Sequence, residues 1–182
     1  MPSGEIKLTK QAAAHRLIQT AVRLCANPDD ALAAHLIAAS AFGLLRDLVA
    51  KRGQSFQSRA FAESMYYAAL AHRRGERNPF SDSPELMHVI NLVCKGLEDG
   101  SVTSAADVKV SIPQRVERQM VAHIAQPTNF LKHADRDPNE LIDLADVKPT
   151  EATMHAITAY ALLFPSERLP PEIERFVLQY AD

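Results

Sequence analysis

Residues 27 to 53 constrain the fold more than any other stretch of this chain. Asn27-Pro28-Asp29-Asp30 is a helix start. Asparagine caps well, proline suits a first helical position where its missing N–H has no partner anyway, and two acids meet the positive end of the helix dipole. The chain then runs without a breaker to about Arg52 and stops at Gly53. Its first half, A-L-A-A-H-L-I-A-A-S-A-F-G, is mostly small residues, so another helix can approach closely. Its second half, L-L-R-D-L-V-A-K-R-G, is amphipathic. A helix with both properties belongs at the centre of a helical bundle.

The rest of the chain reads as more helix. Thr9 caps a first helix to about Cys25, with Leu8, Ala12, Ile18, Val22 and Cys25 on one face and His15 beside them. A third helix from Gln57 to Arg74 turns Phe61, Met65, Ala68, Ala69 and His72 inward and ends at Gly75. Ser83-Pro84-Glu85 starts a fourth, which carries Leu86, Val89, Ile90, Val93, Cys94 and Leu97 to Gly100. From Ser101 to Ile112 the period is lost, and the alternation of Val108 and Val110 with Lys109 and Ser111 is too short for a sheet. Pro113 opens a fifth helix, Gln114 to Ala125, with Val116, Met120, Val121 and Ile124 inward, and Pro127 interrupts or kinks it. Asp137-Pro138-Asn139-Glu140 caps another short helix, Thr150 caps one through Leu163, and Pro170-Pro171-Glu172 starts the last. The expectation is an all-α fold, a single-domain bundle of seven or eight helices over residues 1–182.

Composition removes several function classes. A net charge of -2 exerts no whole-molecule pull on nucleic acid or anionic lipid. Cys25 and Cys94 sit inside apolar helical patterns with no C-x-x-C, as in a reducing cytoplasm. The N-terminus lacks an apolar signal core, and no apolar run approaches the length of a membrane span, about 18 residues, so a cytoplasmic protein without membrane contact is expected. There is no phosphate-cradling glycine loop, no G-x-S-x-G and no H-E-x-x-H. Without tryptophan, the strongest stacking platform for bases is missing.

Reactive side chains concentrate in Thr128 to Asp137, T-N-F-L-K-H-A-D-R-D, bracketed by Pro127 and Pro138. If its first half is helical, Asn129 and His133 project from one face one turn apart, with Lys132 beside them. An amide, a cation and an imidazole together suit a phosphate or a labile proton. Asp135, Asp137 and Asn139 alternate like the first ligands of a calcium loop, but Glu140 replaces the required glycine and Asp146 the closing glutamate. His133, Asp135 and Asp137 could instead ligate another divalent metal, while a structural turn accounts for the same residues without one.

Two resemblances follow from these residues. N-F-L-K-H-A-D-R-D-P, with the second-helix stretch H-L-I-A-A-S-A-F-G-L-L-R-D-L, resembles a family of small all-helical bacterial proteins of unknown function, whose motif reads N-F-x-K-H-A-D-x-D-P. That resemblance covers a small part of the chain and implies no activity. It implies that Asn129, Lys132, His133, Asp135 and Asp137 belong with His35, Arg46 and Asp47. More distantly, N-x-x-K-H resembles lysine–histidine variants of HEPN-type helical domains, many of them ribonucleases with an R-x4-6-H motif. Arg118 and His123 match that spacing too, but a chain with seven histidines produces such a match by chance.

Three functions are therefore expected as alternatives. The first is a cytosolic binding or regulatory module whose Asn129/Lys132/His133 surface takes an anionic ligand, RNA or a nucleotide, with Arg46, Asp47 and His35 in support. Within it, His133, with Lys132 beside it, would be the acid–base group of a metal-free ribonuclease only if an arginine or a second histidine comes within reach. The second is a hydrolase holding a divalent metal on His133, Asp135 and Asp137. The third is a purely structural or protein-interaction module. Small-residue faces suit a homodimer.

Overall fold

The computed structural model describes residues 7–53, 55–78, 80–132, 139 and 141–180. Among them lie seven α-helices and no strand: α1 (Lys10–Leu24), α2 (Ala31–Lys51), α3 (Phe56–Arg73), α4 (Pro84–Asp99), α5 (Gln114–Lys132), α6 (Pro149–Leu163) and α7 (Pro171–Tyr180). The all-α expectation holds. Contacts divide the chain into two compact units, one formed by Met1–Gly53 with Arg115–Asp182 and the other by Gln54–Gln114.

The first unit is built on α2. Ala34, Ala38, Ala41, Phe42, Leu45 and Val49 are buried along it, and it packs chiefly against α6 and α1. α6 answers with its own small residues, Ala152, Thr153, Ala156 and Ala159, all fully buried. Small side chains on both helices let the backbones close in, so the core is filled by contact rather than by bulk. Ala14, Ile18, Ala21 and Val22 of α1 and Ile173 and Phe176 of α7 complete it. Thr9 caps α1 as expected, its hydroxyl accepting from the Ala12 N–H at 3.1 Å. Asn27 likewise caps the single 3-10 turn Pro28–Asp30 that leads into α2.

Four expectations change here. Leu8 is about half exposed and outside the core. Val116 and Met120 are also exposed, because the first two turns of α5 carry no buried residue and the inward stripe begins at Val121. Pro127 does not interrupt α5, which runs through it to Lys132. Its ring is fully buried, and that burial offsets the missing helical hydrogen bond. Finally, Pro28–Lys51 is long and apolar enough to cross a membrane by length and composition. Reading only uninterrupted apolar runs misses this, since His35 and Ser40 break the run without lowering the average much.

The second unit pairs α3 with α4. Met65, Ala68, Ala69, Ile90, Val93 and Cys94 form its core, while His72, expected inward, is exposed. Ser83 caps α4, and Gly100 ends it at a positive φ of 79° that favours glycine. Gly96 is needed for a different reason: a Cβ there would lie 2.6 Å from Val102 Cγ2. The stretch read as aperiodic is coil with one 3-10 turn, Ala105–Asp107, held by the Asp107 carboxylate. That carboxylate accepts from the N–H and hydroxyl of both Thr103 and Ser104, at 2.9–3.0 Å.

Candidate functional site

His133, Asp135 and Asp137 lie outside the described residues, as do Pro138 and Glu140 of the cap expected for the next helix. From Leu141 to Lys148 the chain forms one 3-10 turn, Leu144–Asp146, rather than an α-helix. Asn129 and Lys132 are described. They occupy the exposed last turn of α5, where the expected helical geometry is present.

That turn lines a cavity with α2. On α2 the lining residues are Ala39, Phe42, Gly43 and Arg46, and on α5 they are Val121, Ile124, Ala125, Thr128, Asn129 and Lys132. Both sets follow three- and four-residue steps, so each is one helix face. The cavity holds about 210 Å³. Ala39, Gly43 and Ala125 leave the space open, and a Cβ added at Gly43 would meet nothing within 4 Å. Phe42, Val121 and Ile124 make a buried apolar floor. Arg46, Asn129 and Lys132 are exposed on its rim, with the Arg46 guanidinium 6.0 Å from the Phe42 ring centroid.

Among the described residues, the lining contains two cations and no carboxylate. It also contains a buried hydroxyl, Thr128 Oγ1, with no hydrogen-bond partner among the described residues. Leaving a buried hydroxyl unpaired costs about 1–3 kcal/mol, so its presence beside two cations needs a reason. Asp47, grouped with Arg46 by resemblance, is exposed and does not line the cavity. One residue along a helix is a turn of about 100° away.

His35 has a structural position. It is fully buried on α2, with Nε2 3.0 Å from the Ile124 carbonyl and Nδ1 accepting the Lys148 N–H at 3.1 Å. It ties α2 to both the floor of the cavity and the start of α6, and it is not available to a ligand.

A second cluster joins α5 to α6. His123 Nε2 lies 2.9 Å from Glu151 Oε1, and the His123 and His155 rings are 6.2 Å apart. One ligating atom from each of the three residues falls within 4.8 Å of the others. His155 also packs on Phe42, with ring centroids 5.6 Å apart. Burial holds its proton affinity below that of a free imidazole; the Glu151 charge opposes this and His123 adds to it. Glu151 and His155 stand four apart on one helix, and that E-x-x-x-H spacing is the signal the sequence offered. Arg118, the other half of the R-x4-H match, is exposed near the start of α5.

The surroundings of both thiols disfavour the thiolate. Cys25 Sγ lies 3.6 Å from Thr153 Oγ1 and Cys94 Sγ 3.6 Å from the Ala69 carbonyl, and burial raises both pKa values. A wider groove of about 540 Å³ beside His15 and Tyr160 carries both Glu167 and Arg168, so it has no preference for either charge.

No family model, curated protein or solved structure matches this chain.

Proposed function

We propose that this chain is a binding module for a phosphate-bearing ligand, a nucleotide or an RNA segment, and that the α2–α5 cavity takes one phosphate group. The observation that carries the reading is the placement of Arg46 and Lys132, far apart in sequence, on the rim of one cavity whose described lining residues include no carboxylate. Charge-assisted hydrogen bonds from guanidinium and ammonium are strong, and an arginine fork matches phosphate geometry. Asn129 adds a neutral donor, and the Thr128 hydroxyl supplies one from the wall. The volume is below the roughly 300–1,000 Å³ of pockets that enclose a whole small molecule, so the phosphate enters and the remainder of the ligand stays outside. The N-x-x-K-H resemblance to HEPN-type domains points the same way. In this reading His133, next to Lys132 in the chain, is the group that would add acid–base chemistry to binding.

Titration of inorganic phosphate, mononucleotides and a short single-stranded RNA by calorimetry and fluorescence anisotropy tests the proposal. Binding should weaken with salt, and Lys132→Ala and Arg46→Ala should each reduce the slope of log K against log salt for RNA by roughly 0.7. Binding unaffected by both substitutions would place any anion site elsewhere.

A further inference from the structure

We infer that His123, Glu151 and His155 form a binding site for a divalent transition metal of the zinc class, bridging α5 and α6. The inference is independent of the anion cavity, since none of the three residues lines it.

The donor set comes first. Two imidazoles and one carboxylate suit zinc, cobalt and nickel better than calcium or magnesium, which favour all-oxygen cages. Three protein ligands leave a position for water or another ligand. The site can supply that opening, because the Glu151 side chain is 46 % and the His123 side chain 33 % exposed.

Geometry comes second. Zinc–nitrogen and zinc–oxygen bonds near 2.0–2.2 Å put tetrahedral ligand atoms roughly 3.3 Å apart. The three ligating atoms already lie within 4.8 Å of one another, and the His123–Glu151 edge is 2.9 Å. Side-chain rotation alone can close the remaining gap, because Glu151 and His155 sit on the same face of α6, one turn apart.

The state of His123 Nε2 is the third observation. This atom is buried, and although Glu151 Oε1 is 2.9 Å away, it makes no aligned hydrogen bond. The close approach therefore leaves the nitrogen without an aligned partner. If the ring hydrogen is on Nδ1, the Nε2 lone pair faces a carboxylate oxygen. A cation between the two atoms gives both an electron-pair acceptor, which removes the repulsion and the unsatisfied nitrogen together.

The α2 side of the site is apolar, with Phe42 packed on the His155 ring. An apolar wall restricts solvent on one side and strengthens ligation by charged and polar groups on the other. Phe42 also forms part of the anion cavity floor, so a metal here would stiffen one wall of that cavity.

The test is titration of the metal-stripped chain of residues 1–182 with Zn2+ and Co2+, read by calorimetry, thermal midpoint and the visible absorption of Co2+. The expected result is one equivalent bound, a raised midpoint and a Co2+ spectrum of low coordination number. Glu151→Gln and His155→Gln should each weaken binding by more than the roughly 10–100-fold typical of losing an outer-shell partner. Glu151→Gln is the safer variant for folding, since that side chain is partly exposed, and Lys132→Ala should leave metal binding unchanged. If wild type binds neither ion stoichiometrically, or both α6 variants bind as wild type does, the inference is overturned. In the second case, histidines elsewhere on the surface hold the metal.

Discussion

The main-chain N–H of Lys148 donates to Nδ1 of His35 at 3.1 Å, inside the core of the first unit. Because Nδ1 accepts, the ring hydrogen is on Nε2, where it donates to the Ile124 carbonyl. One side chain thereby registers α2 against α5 and against the residue that precedes α6.

Removing that side chain leaves the Lys148 N–H without its acceptor and opens a cavity. His35→Ala should destabilise the protein by about 3 kcal/mol, combining loss of hydrogen bonds with loss of packing. Urea unfolding would show this as a lower midpoint with an unchanged slope. A loss under about 1 kcal/mol would mean that the tie between α2 and Lys148 is not structural.

Thr128 separates function from stability. Its hydroxyl is buried and unpaired among the described residues, so Thr128→Val should leave stability unchanged or raise it by up to about 1 kcal/mol. If the hydroxyl serves a phosphate in the α2–α5 cavity, the same variant should bind that ligand several-fold more weakly. Thermal midpoint and phosphate affinity, measured on one preparation, should therefore move in opposite directions or the midpoint should stay still. A clear fall in midpoint would assign the hydroxyl to the fold.

Asp107 predicts a pH dependence in the second unit. Hydrogen bonds from the backbone N–H and hydroxyl of Thr103, and from the hydroxyl and N–H of Ser104, lower its pKa from 3.8 to about 2. A depressed folded-state pKa means that the unfolded chain takes up the proton first. The stabilisation is thus complete above pH 3.8, declines below it and is gone once pH falls past about 2. Wild type should unfold at higher urea than Asp107→Ala at pH 5, and the two midpoints should converge as pH drops toward 2. Parallel curves would show that the carboxylate's charge does not contribute.

The candidate sites were legible in unequal parts. Asn129 and Lys132 stood out because chemically capable residues crowd together after Pro127. Arg46 joined them only through resemblance. The cavity itself depends on two helix faces meeting with Ala39, Gly43 and Ala125 between them, and periodicity shows a face without showing what it meets. His35 looked like a site residue and is a fixed core group. His123, passed over as half of a chance match, meets Glu151 and His155.

By itself the sequence determined where several helices begin, although α6 starts at Pro149, so that Thr150 lies inside it and is not its cap. Thr9, Asn27 and Ser83 cap as expected, because a cap is satisfied within three residues of its own position and needs nothing from the rest of the chain. Tertiary structure alone decided how each helix is turned and which partners its polar groups find. Val116 and Met120 share an apolar period with Val121 and Ile124, but only the latter pair is buried. Pro127 should interrupt or kink its helix, but α5 continues through it to Lys132 with the ring buried in the core. These outcomes depend on packing summed over several helices, and no local window of sequence contains that sum.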